Sequence, residues 1–298
     1  MEPSPRYLRL TGLGQRAFSR GRLQRAHALF QAAEVEARGI GDQELLDRAF
    51  CNRCVVLVEL EQLDGSLGEL KHVLMRTRDS FTAWMAAYYT AQVYEFQDNL
   101  PRALSYARRA SELAQSCGAP EARAASANQH GVLALRDSHF EEAGRCFREA
   151  LQLDHQHGND PVGAAATRDN LGYCLMCTGD VPQGIALCSD AAATLEAAGA
   201  RHMLAEVYQD LCYGFIEQGD LAAAQVFGEQ ALELAREFAV DKVEANTLVL
   251  LAEAAMASGD EAEVDLRLEQ LSRYYPDSLE FRHFLEAFNV LQVINLKA

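Results

Sequence analysis

Residues 212–234 read CYGFIEQGDLAAAQVFGEQALEL, and residues 170–184 read NLGYCLMCTGDVPQG. In each stretch a Gly-Asp pair separates two runs that combine small and large apolar residues at helical spacing. Glycine is favoured where one helix ends, and aspartate is favoured where the next helix begins. Both stretches therefore predict two helices joined by a tight turn.

The same pattern recurs about every 40 residues along the chain. A marker residue opens the second helix of each copy, and it is apolar in all copies but the last: Leu23, Leu63, Leu100, Phe140, Val181, Leu221 and Glu261. Nine residues before each marker stands a small residue: Gly14, Cys54, Ala91, Gly131, Gly172, Cys212 and Ala252. A small residue at a fixed offset indicates that two helix axes approach closely at that point.

This pattern resembles the tetratricopeptide repeat, a helix-turn-helix unit with small residues at fixed positions. The unit here, at about 40 residues, is longer than the familiar one. It is similar in length to the repeats of peptide-regulated bacterial phosphatases, maltose-regulator-type activators and cell-polarity adaptors. The resemblance implies an all-α fold, a right-handed superhelix (α-solenoid) of seven helical hairpins. For function it implies only binding, because this scaffold hosts many roles.

The repeats predict one solenoid over residues 4–273. The approximate limits of the hairpins are 4–40, 42–78, 80–118, 120–158, 160–199, 201–240 and 241–273. A further helix is predicted at 277–296, where apolar residues such as Phe281, Phe284 and Phe288 recur at helical spacing. This helix is expected to cap the apolar face of the last repeat, and a homodimer seam is the alternative.

Composition narrows the class of protein. The net charge of -16 argues against nonspecific nucleic-acid binding, which needs clustered Lys and Arg. No run approaches the roughly 18 apolar residues of a membrane span, and no secretory signal is evident. Eight cysteines without such a signal predict free thiols in the cytoplasm. The arginines of the first 30 residues are read as solvated helix faces, with a dock for an acidic partner as the alternative.

Chemistry-bearing motifs are few. Cys51 and Cys54 form one CxxC pair, and Cys174 and Cys177 form another, a spacing that can hold zinc. Each pair lies inside a first helix, and distant repeats of a solenoid do not touch, so we expect compact hydrophobes and neither a metal nor a cofactor. Because no phosphate loop, HExxH helix or GxSxG elbow is present, we predict that the protein is not an enzyme.

The resemblance also implies where a partner binds. In tetratricopeptide proteins the first helices line a concave groove, and carrying its positions onto this chain gives Arg48, Asn52, Tyr88, Tyr89, Gln92, Asn128, Gln129, Val132, Arg136, Asp169, Asn170, Tyr173, Met176, Gln209, Asp210, Tyr213, Glu217 and Glu253. This set is rich in amides, which pair with peptide backbone, and in tyrosines. We therefore predict an adaptor or scaffold that holds a protein or peptide segment, with a ligand- or peptide-responsive sensor as the alternative.

Overall fold

The computed structural model describes residues 3–18, 22–60, 62, 65–157, 161–275, 282–283 and 295–297. Over these residues the regular structure is entirely α-helical, so the predicted all-α class is confirmed. In chain order the helices are α1 Pro5–Phe18, α2 Leu23–Ile40, α3 Gln43–Glu59, α4 Leu67–Arg76, α5 Ser80–Phe96, α6 Leu100–Cys117, α7 Pro120–Arg136, α8 Phe140–His157, α9 Pro161–Cys177, α10 Val181–Ala198, α11 Arg201–Gln218, α12 Leu221–Glu237, α13 Asp241–Ser258 and α14 Glu261–Leu271.

Gly-Asp pairs separate the helices in the later hairpins, as the sequence predicts. Gly219 and Gly259 end α11 and α13 with φ of 83° and 75°, a left-handed conformation that glycine adopts without a steric penalty. The carboxylates of Asp220 and Asp260 then accept hydrogen bonds from backbone N–H groups in the first turn of α12 and α14. Capping by aspartate satisfies amides that have no partner within the helix.

Two compact units divide the chain, residues 1–133 and residues 134–298, and the boundary falls within α7. In the first unit α1 packs on α2, α4 packs on α5 and α5 packs on α6, while the first helices α3 and α5 also touch. In the second unit α9 to α14 pack successively, and the first helices are again neighbours, α9 beside α11 and α11 beside α13. Within each unit, first helices therefore share a surface.

The small residues that precede the markers are all buried. Their role is clearest at Gly172 of α9, which faces Gly184 of α10. A Cβ atom added at Gly172 would lie 2.6 Å from the Sγ atom of Cys188 and 2.8 Å from the backbone oxygen of Gly184. One added at Gly184 would lie 2.6 Å from the backbone oxygen of Gly172. The two helix backbones thus touch at this point, and no other residue type fits without movement.

The second repeat departs from the predicted pattern. Its marker Leu63 lies outside the described residues, and α4 begins at Leu67 rather than at the marker. Gly65, just before α4, has φ of 84°, which places the chain in a left-handed turn instead of a helix. The expectation that the second helix opens at its marker is therefore wrong for this repeat.

Most of the predicted helix at 277–296 lies outside the described residues. Arg282 and His283 are helical, and Arg282 forms ion pairs with Glu261 and Asp265 of α14. Asn295 and Leu296 are not helical, so the helix does not extend to the predicted limit.

Replacing Gly172 by alanine should lower the free energy of unfolding by about 1–3 kcal/mol, because the added methyl group meets backbone and Cys188. Urea unfolding followed by circular dichroism measures this change. Gly144→Ala in α8 is the matched control, since its Cβ would make ordinary contacts at 3.7 Å, and it should not be destabilised. Equal unfolding midpoints for Gly172→Ala and the parent protein would contradict the close approach.

Candidate functional site

In the first unit, Arg48 of α3 is tied to the neighbouring first helix. Its Nε–H donates to the Oγ1 atom of Thr82 at 2.8 Å, and its Nη2 atom pairs with Asp79. The guanidinium also lies 4.9 Å from the ring centroid of Phe81. Arg48 thus joins α3 to α5. These contacts occupy much of the hydrogen-bonding capacity of its guanidinium, which the sequence pattern assigns to binding a partner.

A cleft of about 410 Å³ opens beside this arginine, between α1, α3 and the start of α5. Arg48 and Asn52 line it together with Tyr7, Leu45 and Phe81. Its wall therefore contains aromatic, aliphatic and polar side chains.

Further along the first unit, the predicted residues divide into buried and half-buried ones. The rings of Tyr88 and Tyr89 pack edge to face with centroids 5.4 Å apart, and Tyr89 is buried. Gln129 is also buried, and its Nε2 atom donates to the backbone oxygen of Tyr88 at 3.1 Å. The residues left half-buried are Asn52, Tyr88, Gln92, Asn128 and Val132. Tyr89 and Gln129 contribute to packing more than to an open surface.

In the second unit, two predicted residues form a buried carboxylate pair. The side chains of Asp169 (α9) and Asp210 (α11) are 5% and 0% exposed. The ammonium of Lys297 lies 3.3 Å from Asp169 Oδ2, 2.8 Å from Asp210 Oδ2 and 3.7 Å from Glu206 Oε2. We call Asp169, Glu206 and Asp210 the acidic pocket.

The charges in the acidic pocket depend on each other. Burial raises the pKa of Asp210 well above its usual value, and the ammonium of Lys297 acts in the opposite direction. Burial alone would lower the pKa of Lys297, but Asp169, Asp210 and Glu206 outweigh it and raise the pKa well above the usual value. Lys297 therefore remains charged, and it offsets the cost of burying the carboxylates.

The short segment 295–297 is held through its main chain as well. The Leu296 N–H donates to the Tyr173 hydroxyl at 3.0 Å, and the Asn246 side chain donates to the Leu296 carbonyl at 3.2 Å. Asn295 donates through Nδ2 to the backbone oxygen of Leu135 at 2.6 Å. Leu296 is 5% exposed. First helices α9 and α13 thus bind the backbone N–H and carbonyl groups of Leu296. The ammonium of Lys297 adds ion pairs with Asp169 and Asp210.

The remaining predicted residues of the second unit differ in accessibility. Met176 is buried between α10 and α11, since a Cβ added at Gly184 or Gly214 would collide with it, so it fills the packing between helices rather than an open groove. Gln209 is buried, as are Tyr173 and Tyr213, whose ring centroids lie 5.6 Å apart. Those with accessible surface are Arg136, Asn170, Glu217 and Glu253.

Sequence reasoning missed Glu206 and Asn246. Both lie fifteen residues before a marker, Leu221 for the first and Glu261 for the second, the same position that Arg48 holds before Leu63. Applying that position to every repeat would have found them. Nothing in the sequence pattern pointed to Lys297, because contact between residues so far apart in the chain follows from tertiary structure.

The CxxC pairs lie inside helices α3 and α9, and all eight cysteines of the chain are free thiols. Burial raises the pKa of Cys54, Cys174 and Cys212 to about 12 in each case. Since the thiolate is both the nucleophile and the metal ligand, these groups are chemically inert near neutral pH. Their packing agrees with the expected role as compact hydrophobes.

At pH 8, iodoacetamide should leave Cys54, Cys174 and Cys212 unmodified in the folded protein, because their raised pKa keeps them as thiols and burial excludes the reagent. The half-buried Cys117 serves as the internal reference. Mass spectrometry of digested protein measures each site, and all four should react in denaturant. Modification of the three buried thiols at the denatured rate would contradict this placement.

Comparison with known proteins establishes the fold. No family model matches the chain, and no curated protein matches it. NprR in complex with its cognate peptide NprX is 12% identical with a TM-score of 0.72, over 97% of this chain and 82% of that chain. The apo form of the quorum sensor NprR from B. thuringiensis is 12% identical with a TM-score of 0.71, over 93% and 78%.

A signal transduction ATPase with a tetratricopeptide repeat sensor, from Pyrococcus horikoshii, is 17% identical with a TM-score of 0.64. The match covers 91% of this chain and 42% of that one. The predicted tetratricopeptide-type repeat fold is thus confirmed. At these identities the likeness concerns the fold and not the activity. Separately, within the described part of the chain, no helix combines the length and hydrophobicity needed to cross a membrane.

Proposed function

We propose that this protein is a noncatalytic adaptor that binds a segment of a partner protein on the first helices. The observation that carries the proposal is the seating of residues 295–297 on the second unit. Tyr173 and Asn246 bind the main chain of Leu296, while Asp169 and Asp210 bind the side chain of Lys297. Main-chain hydrogen bonds give affinity to peptide recognition, and side-chain pockets give specificity.

The predicted groove residues fit this role where they are accessible. Asn170 is half-buried on α9, next in sequence to Asp169 of the acidic pocket. In the first unit, Asn52 lines the 410 Å³ cleft, which is wide enough for side chains of a bound segment. The structure of NprR with its cognate peptide NprX has the same fold, and that protein binds a peptide.

Other properties belong to the same proposal. The absence of catalytic motifs from the sequence favours a binding protein over an enzyme. The net charge of -16 favours protein partners over nucleic acid. Eight free thiols favour a reducing compartment such as the cytoplasm. A homodimer through residues 277–296 remains a prediction, because most of that stretch lies outside the described residues.

A peptide-responsive sensor is the second candidate. It is favoured by one observation: the acidic pocket already holds Lys297 of the same chain. A surface that binds a segment of its own chain has two states, occupied and open, and a partner that prefers the open state shifts the balance between them. Adaptor and sensor share the same binding surface.

Selection of random peptides displayed on phage against the full chain tests the proposal. Selected peptides should bind the Asn170→Ala, Asn246→Ala double variant about 30-fold more weakly, because two amide hydrogen bonds of about 1 kcal/mol each are lost. Fluorescence anisotropy with labelled peptides measures this difference. The fold of each variant is checked by its thermal unfolding.

The matched control changes Arg145 and Gln152 of α8 to alanine. Both side chains are exposed and belong to a second helix, so peptide affinity should stay at the parent value. If no peptide is selected, or if the α8 control loses binding while the Asn170, Asn246 variant retains it, the first-helix surface is not the binding site.

A further inference from the structure

The acidic pocket holds a buried cation. Asp169 and Asp210 lie on neighbouring first helices, and both side chains are almost fully withdrawn from water. Two buried carboxylates without a partner are costly, so a folded chain compensates them or protonates one. In the structure the compensating group is the ammonium of Lys297, whose side chain is 9% exposed.

The pocket has acceptor capacity beyond the contacts that Lys297 makes. The Oδ1 atoms of Asp169 and Asp210 are buried, and among the described residues neither has a hydrogen-bond partner. An ammonium has three donors, which rotate freely about the end of a flexible stem. The pocket is therefore suited to a lysine, which can reorient among several carboxylate oxygens.

The contacts to residues 295–297 depend little on these residues being part of the same chain. Tyr173 and Asn246 bind the N–H and carbonyl groups of Leu296, which any residue other than proline provides. Leu296 itself is buried, and the Nζ atom of Lys297 also lies 5.9 Å from the ring centroid of Tyr173. An extended segment with an apolar residue followed by a lysine offers the same groups.

We infer that the acidic pocket is a recognition site for a lysine of a partner segment, placed directly after an apolar residue. Residues 295–297 occupy this site in the absence of the partner and act as an attached competitor. The inference rests on the proposed function and adds the chemistry of the partner to it. The partner segment is basic at this point, and the acidic body of the protein favours its approach.

The low lysine content of the chain allows a direct test with the unmodified protein. Lys71, Lys242 and Lys297 are the three lysines, so amine labelling reports on few sites. The probe is a synthetic peptide with the sequence of residues 292–298, QVINLKA, in acetylated form. An amine-reactive ester, followed by mass spectrometry, should label Lys297 at least about tenfold more slowly than in denaturant. Excess probe should raise that rate, because it displaces residues 295–297.

Probe affinity in full-length variants tests the competition. Lys297→Met should bind a fluorescent probe at least about tenfold more tightly than the parent, since an attached competitor acts at an effective concentration near millimolar. Arg201→Gln removes an equivalent charge from an exposed pair with Glu237 and should resemble the parent.

Two further changes test lysine recognition itself. Adding Asp210→Asn to the Lys297→Met variant should weaken probe binding at least about tenfold, because the charged partner of the ammonium is lost. A probe with glutamate in place of its lysine should not bind. Thermal unfolding of each variant verifies the fold, and the labelling of the unmodified protein stands even where a variant fails to fold.

Three results would overturn the inference. The first is labelling of Lys297 at the denatured rate in the folded protein. The second is a probe that binds the parent and Lys297→Met equally, or does not bind the folded Lys297→Met variant. The third is probe binding that is indifferent to its lysine. In the third case the proposed function stands, because a segment still binds the first helices, whereas failure of the random-peptide selection removes the proposed function itself.

Discussion

Close approach of helix backbones at small residues is the constraint on which the structure depends. Where Gly172 faces Gly184, the backbones of α9 and α10 touch, and a single methyl group on either residue would collide with the other helix. The equivalent small positions in the other hairpins are buried too. This contact sets the distance between the two helices of a hairpin. The first helices then lie side by side within each unit, and their side chains form a shared surface.

Much of the fold could be predicted from the sequence, because the signals that determine it come from residues close together in the chain. Gly-Asp pairs, helical spacing of apolar residues and the recurring small residue each reflect interactions within one hairpin. The start of α4 at Leu67 escaped prediction because Gly65 adopts a left-handed turn there, which the repeat pattern does not encode. The carried-over groove positions located Asp169 and Asp210, yet they implied an accessible surface. Burial of Gln129 and Met176 comes from neighbouring helices, which a pattern within one repeat cannot represent.

The first helices of the second unit carry buried polar groups. Asp169, Gln209, Asp210 and Thr247 are buried in a fold that apolar packing would stabilise without them. The repeat pattern does not predict that Lys297 pairs with Asp169 and Asp210, because Lys297 lies outside the repeats and meets the two carboxylates only in the tertiary structure. Buried charged groups of this kind lower the stability of the fold, but they bind a ligand in one geometry. This combination is expected at a recognition site.

The attachment of residues 295–297 to the chain they bind has a consequence for how the protein responds in a cell. A tethered occupant is present at the same local concentration however much protein is made, because the tether and not the abundance of the protein determines it. The concentration of partner needed to open the acidic pocket is therefore set by the tether within each molecule. Raising expression supplies more binding sites, but it leaves the threshold at which each site responds unchanged.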